Sequence, residues 1–234
     1  MSGAGPDRRR AEGRPRRRYG ALLLCAVVLL GVQGVFPPGR IQQLLVAGLA
    51  GACLVLAVRD ADLSPAMLRW ALVLASAVLA VSVLRAVVGG IGDGAERLCI
   101  AALLGLGPPA VAIGVLRDLR SSGRVEIGAI SGVLALYLLI GMAFAFLYGG
   151  IDRLGGDPFF TSGADATVSL CLYFSFTTLT TVGYGDLTAG ADLGRTLAIF
   201  EALIGQIYLV TVVSLLVGNL RRPVPVATPP GPDR

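Results

Sequence analysis

The stretch Asp165-Ala-Thr-Val-Ser-Leu-Cys-Leu-Tyr-Phe-Ser-Phe-Thr-Thr-Leu-Thr-Thr-Val-Gly-Tyr-Gly-Asp186 decides how this chain is read. From Ala166 to Leu179 run about 14 apolar and small residues, with Asp165 placed to cap a helix. Such a helix is too short to cross a hydrocarbon core of about 30 Å. The expectation is a re-entrant pore helix. Irregular backbone at membrane depth is tolerated only against protein or a water-filled cavity, so the segment that follows, Thr180 to Asp186, is expected to line a pore. Passing a dehydrated cation requires successive carbonyl oxygens turned toward one axis. Gly183 and Gly185 permit the positive φ that this geometry needs.

Outward from this stretch the chain is apolar. Of 234 residues 55% are hydrophobic and 15% charged, and the mean hydropathy is +0.76, which points to a membrane protein. Six apolar segments are candidate spans: Tyr19 to Phe36, Ile41 to Val58, Met67 to Val88, Leu98 to Leu116, Ile127 to Tyr148 and Thr196 to Leu220. The expected fold class is an all-α membrane protein with six transmembrane helices plus a re-entrant pore helix and a filter loop. The expected units are a basic N-terminal segment (1–18), a four-helix bundle (19–118), a pore domain (125–222) and a Pro-rich, disordered tail (223–234).

The charge inventory excludes several chemistries. All 20 basic residues are Arg, against 15 acids, with no Lys and no His. A Walker A loop, a Schiff-base lysine, a Ser-His-Asp triad and an HExxH zinc site are therefore absent. Cys25, Cys53, Cys99 and Cys171 lie in apolar runs at separations matching no metal or redox spacing, and read as packing residues. No catalytic constellation emerges, so an enzyme is not expected, and no cofactor is implied. With the N-terminus inside, 15 arginines fall on the cytoplasmic side and five on the other. This predicts a multi-pass cell-membrane protein with both termini cytoplasmic. The run Arg16-Arg17-Arg18 is read as a topology anchor rather than a nucleic-acid arm or a secretory leader. The apolar run behind it ends in Val35-Phe36-Pro37-Pro38, without a cleavage site.

Thr180-Thr181-Val182-Gly183-Tyr184-Gly185-Asp186 resembles the selectivity filter of the potassium-channel pore family, the prokaryotic-type ion channels with a two-helix pore module. The resemblance implies a homotetramer in a lipid bilayer with K⁺ as permeant ion. The ion-binding segment would be Thr181, Val182, Gly183, Tyr184 and Gly185. Within it the carbonyls of Thr181, Val182, Gly183 and Tyr184, with the Thr181 hydroxyl, would replace the ion's water shell. It further implies that Tyr173 and Phe174 are the aromatic pair packed around the filter, that Thr180 and Asp186 support it, and that Gly205 is the hinge glycine of the inner helix. The chain departs from several relatives at Thr177, where they place an acid that bonds the filter aspartate.

The fourth candidate span holds Pro108-Pro109 and no arginine, so a voltage sensor of the four-arginine type is not expected. Arg85 and Arg97 sit at span ends, where snorkelling is the expected role. Glu201 is the one ionisable side chain well inside a span. It is either a gating group or a structural partner of the hydroxyl-rich pore helix, while Gln206 and Tyr208 are expected to serve helix packing. A rival class is a transporter or non-conducting membrane protein that reuses the pore-loop string. The first half of the chain, however, has no counterpart to Asp165–Asp186, as an inverted repeat would require. Neither a nucleic acid nor a further protein partner is implied.

Overall fold

The computed structural model describes residues 19–88, 92–122 and 127–220, with side chains outside 118–129, 213 and 215–220. The N-terminal arginine run and the Pro-rich tail lie outside the described residues. Seven helices follow one another: α1 (Gly20–Val35), α2 (Arg40–Asp60), α3 (Pro65–Val88), α4 (Asp93–Ser122), α5 (Ile127–Leu154), α6 (Val168–Leu179) and α7 (Asp192–Leu220).

Their ends follow from local chemistry. Phe36 precedes Pro37 and is extended, with φ −89° and ψ 134°, because a following proline disfavours the helical region. This stops α1 at 16 residues, about 24 Å at 1.5 Å per residue. Pro65 opens α3 at a position where its missing N–H is not needed. The Ser64 hydroxyl accepts from the Met67 amide there at 3.4 Å. Asp93 and Glu96 occupy the first turn of α4, where carboxylates complement the helix dipole.

Five of these helices, α2, α3, α4, α5 and α7, contain segments long and apolar enough to cross a membrane. The expected count of six is thus reached only by including α1, which is shorter than the others. Both α4 and α5 extend beyond the expected spans. Helix α4 continues through Pro108 and Pro109, although each proline removes one donor from the ladder.

One apolar core runs through α1–α4 and on into α5 and α6. Helix α4 packs most extensively on α5, α2 touches α1, α3 and α4, and α1 reaches α5. Tyr19, fully buried, is the wedge at one end of this core. A Cβ on Gly132 of α5 would lie 2.9 Å from its ring. Cys25 and Cys53, 28 positions apart, meet with sulfurs 3.3 Å from one another, so the packing reading of these thiols includes a direct contact.

At the opposite end of α4 the expectation for two arginines is corrected. Arg85 and Arg97 do not snorkel. Arg85 pairs with Asp93 at 2.8 Å and with Glu96, whose other oxygen accepts from Ser82 at 2.6 Å. Arg97 pairs with Asp93 at 2.8 Å and donates to the Ala166 carbonyl at 2.8 Å. Acids in the first turn of α4 give the arginines partners within the protein. The result ties α3 and α4 to the chain entering α6.

Replacing Gly132 by Val should force Tyr19 from its seat. Overpacking of this kind costs about 1–3 kcal/mol. The thermal midpoint of the detergent-solubilised protein should fall by roughly 3–10 °C, and restoring space with Tyr19→Ala should recover part of the loss.

Candidate functional site: the loop behind helix α6

Helix α6 starts two residues later than expected. Asp165 does not cap it. The Asp165 carbonyl accepts from the Thr167 amide at 2.7 Å, and this turn makes Thr167 the cap. The Thr167 hydroxyl accepts from the Leu170 amide at 3.3 Å. The helix is therefore 12 residues long, about 18 Å, and cannot span.

Beyond its C-terminus the backbone hydrogen bonds fall on one side. The amides of Val182 and Gly183 both donate to the Thr177 carbonyl, at 2.9 and 3.1 Å, and the Thr181 amide donates to Thr178 at 2.9 Å. Thr180 donates to Phe176 at 3.0 Å through its amide, and its hydroxyl bonds the same carbonyl at 2.6 Å. The last carbonyls of α6, which have no intrahelical donor, thus take the amides of the loop. Among the described residues nothing donates to the carbonyls of Thr181, Val182, Gly183 or Tyr184.

The dihedrals alternate along the same residues. Thr181, Gly183 and Gly185 have φ of 59°, 52° and 80°, whereas Val182 and Tyr184 between them stay negative. Left-handed φ at every second residue reverses alternate peptide planes, so carbonyls that would point to opposite sides of an extended chain can point to one side. For the glycines this is inexpensive. For a β-branched threonine it is an outlier, costing on the order of 1–3 kcal/mol.

Thr181 is also held by a residue that the sequence had assigned to packing. Gln206 Nε2 on α7 donates to the Thr181 hydroxyl at 2.9 Å. The signal available for it was its place directly after Gly205. A Cβ on Gly205 would collide with the Leu179 carbonyl oxygen, so α7 passes α6 at backbone contact. The helix is continuous there, which makes Gly205 a close-packing residue in this conformation. Tyr208 does serve packing: its ring lies 4.9 Å from that of Tyr137 and its hydroxyl bonds the Val133 carbonyl.

The two consecutive aromatics of α6 separate, because neighbours on a helix point about 100° apart. The Tyr173 hydroxyl donates to Asp186 at 2.8 Å, and its ring stacks 6.2 Å from Tyr184 at an interplanar angle of 5°. Asp186 thus has a clamp in place of the acid missing at Thr177, whose own hydroxyl bonds the Phe174 carbonyl at 3.0 Å. Phe174 points away from the loop, into a cluster with Tyr148, Phe159 and Phe160 at 5.3 to 5.9 Å. The loop's far side is fastened as well, since the Thr161 amide donates to Thr188 and that of Gly190 to Phe159.

Glu201 is fully buried behind α6. The Tyr148 hydroxyl of α5 donates to it at 2.6 Å, and its second oxygen bonds the Ser175 hydroxyl of α6. Ser175 Oγ also lies 2.7 Å from the Gly141 carbonyl. A serine carries one proton, so both Ser175 contacts are hydrogen bonds when the Glu201 carboxyl supplies the other. Glu201 therefore joins α5, α6 and α7.

Residues 132–222, from the second turn of α5 through α7, match the family model described as "Ion channel". The match indicates an ion channel. Together with the apolar helices it supports a membrane-embedded protein. No curated protein and no solved structure matches the chain.

If Glu201 joins the three helices as described, Glu201→Gln should keep the thermal midpoint within a few degrees, because an amide can donate to Ser175 and accept from Tyr148. Glu201→Leu should lower it clearly, since the buried Tyr148 hydroxyl loses its acceptor, at about 1–3 kcal/mol, while Ser175 keeps only the Gly141 carbonyl.

Proposed function

We propose that the chain is one subunit of a homotetrameric, K⁺-selective channel, with residues 180–186 as the filter. The observation that carries this reading is the alternation of positive φ at Thr181, Gly183 and Gly185 beside carbonyls that accept nothing from the described residues. A strained threonine in a segment whose amides from Thr180 to Gly183 are fastened behind it suits a carbonyl ladder. Four copies around an axis supply rings of oxygens that substitute for the hydration shell of a dehydrated K⁺. The C-terminal end of α6 adds the negative pole of its dipole toward the cavity below.

The uncovered face of α7 supports assembly. Ile199, Phe200, Leu203, Ile207 and Val210 are each more than half exposed, at 53% to 67%, and four of them recur at helical spacing. Such a stripe calls for neighbouring subunits and lipid. In this arrangement α6 enters from the external side, both termini are cytoplasmic, and the Thr181 hydroxyl faces the cavity with Gln206 behind it. No arginine lies between Leu98 and Leu116 of α4, and the two at the end of α3 and the start of α4 are paired, so the pore is only weakly voltage-dependent.

Reconstitution into liposomes under opposed K⁺ and Na⁺ gradients tests the reading. The protein should pass K⁺ and exclude Na⁺, and Gly183→Ala should abolish K⁺ flux or its selectivity without preventing insertion, because a Cβ resists φ of 52°. Equal K⁺ and Na⁺ permeation by the native protein, or unchanged selectivity in the variant, would remove the filter assignment. In planar bilayers, each charge moved through 100 mV is worth about 2.3 kcal/mol, so a steep voltage dependence would contradict the absence of a sensor.

A further inference from the structure

We propose that the cavity between the first bundle and the start of α6 binds a phosphate-bearing anion, with an anionic phospholipid headgroup as the occupant that its walls favour. The cavity has a volume of about 580 Å³ and lies where the α1–α2 turn, the ends of α3 and α5, and the starts of α4 and α6 converge. This is the end of the molecule that carries the 180–186 loop. Nothing in the proposal depends on ion selectivity.

Three features of the cavity select an anion. The first is an excess of guanidinium groups. Arg85, Arg97 and Arg153 line it together with Asp93 and Glu96. Asp93 is shared by all three arginines, and Glu96 is committed to Arg85 and Ser82. Arg153 comes off worst in this sharing. It lies 3.6 Å from Asp93 and 3.9 Å from Asp152, and its side chain is 41% exposed. It is the guanidinium with donors to spare.

The second feature is the start of α6. Thr167, Val168 and Ser169 form part of the wall. The Thr167 hydroxyl takes the Leu170 amide and the Thr167 carbonyl takes that of Cys171. By helix geometry the Val168 and Ser169 amides have no carbonyl within the helix, and they stand at the positive end of its dipole. Oriented amides of this kind are suited to phosphate.

The third feature is independent of both. Gln33 of α1 lines the cavity and is only 7% exposed. Its Oε1 accepts from Gln42 at 3.5 Å, but its Nε2 has no hydrogen-bond partner. A buried amide donor without an acceptor is destabilising, and an anionic oxygen in the cavity relieves it.

The remaining wall distinguishes a lipid from a free ion. Phe36, Val46, Ile100 and Phe146 give the cavity an apolar side, and it lies at one end of helices long and apolar enough to cross a membrane. A headgroup at the arginines with its acyl chains along this side satisfies both walls at once. Inorganic phosphate uses only the polar one.

Binding to the intact detergent-solubilised protein separates the outcomes. Short-chain phosphatidylglycerol, short-chain phosphatidylcholine and inorganic phosphate are titrated separately, with native mass spectrometry and the thermal midpoint as readouts. Phosphatidylglycerol should bind at least tenfold more tightly than phosphatidylcholine. Arg153→Gln should weaken it roughly fivefold, as should Gln33→Leu, while Arg69→Gln on the exposed start of α3 leaves it unchanged. Phosphate alone binding with the same dependence on Arg153 and Gln33 would support the anion site with a free ion as its source. Equal binding of the two lipids with none of phosphate, or anion binding indifferent to both substitutions, would overturn the proposal. If either variant unfolds, Arg153→Lys, which keeps the charge, should bind within about twofold of the native protein, and a loss as large as that expected for Arg153→Gln would also count against it.

Discussion

The structure turns on where the peptide groups of residues 180–184 find their partners. In a membrane interior every amide and carbonyl needs an acceptor or donor, and an irregular loop has none to offer itself. Here the C-terminus of α6 resolves half of the problem, because its unused carbonyls at Thr177 and Thr178 take the loop amides. Among the described residues the carbonyls of Thr181 to Tyr184 are left without a donor. The proposed ion path is the other half of this constraint, since dehydrated cations and water are the partners that remain for those oxygens.

Much of the surrounding structure serves to hold that loop at fixed depth. Gly205 brings α7 against the last turn of α6, and Gln206 is thereby delivered to Thr181. Tyr173 and Asp186 fix the outer end, while Ser175 and Glu201 fix the middle of α6 from behind. Arg97 holds the carbonyl of Ala166, just before the helix begins. Strain at Thr181 persists because each neighbouring element is itself fastened, which is the usual condition for an unfavourable φ. The first four helices participate through Arg97 and through the core shared by α1, α2, α4 and α5, so they rest on α5 and the start of α6 rather than standing apart from them.

What could be read from the sequence was local. The apolar runs located the five helices that are long and apolar enough to cross a membrane, with ends off by up to six residues in α4 and α5, and a half-length helix followed by paired glycines marked the loop. The misplacements have local causes as well: Phe36 left the helix because of Pro37, and the turn at Asp165 moved the cap to Thr167. What stayed hidden was contact between distant positions. Nothing in the spacing says that Arg97 and Ala166, 69 residues apart, share a hydrogen bond, or that Gln206 reaches back 25 residues to Thr181. Glu201 was visible as an anomaly, an acid in an apolar helix, but its partners Tyr148 and Ser175 appear only once three helices are packed. Arg85 was misread for the same reason, since Asp93 and Glu96 lie on the next helix, whereas Asp93, four residues before Arg97 on α4, was within reach of helical spacing.

The most direct test of the central claim is to locate ions in the assembled protein. Crystals grown in thallium, a heavy mimic of K⁺, should show anomalous peaks in single file on a fourfold axis, between rings formed by the carbonyls of Thr181, Val182, Gly183 and Tyr184 from four subunits. Replacing thallium with sodium should empty those positions or rearrange the loop. An assembly without a fourfold axis, or a fourfold assembly in which those carbonyls point into protein and no peak lies between them, would contradict the account.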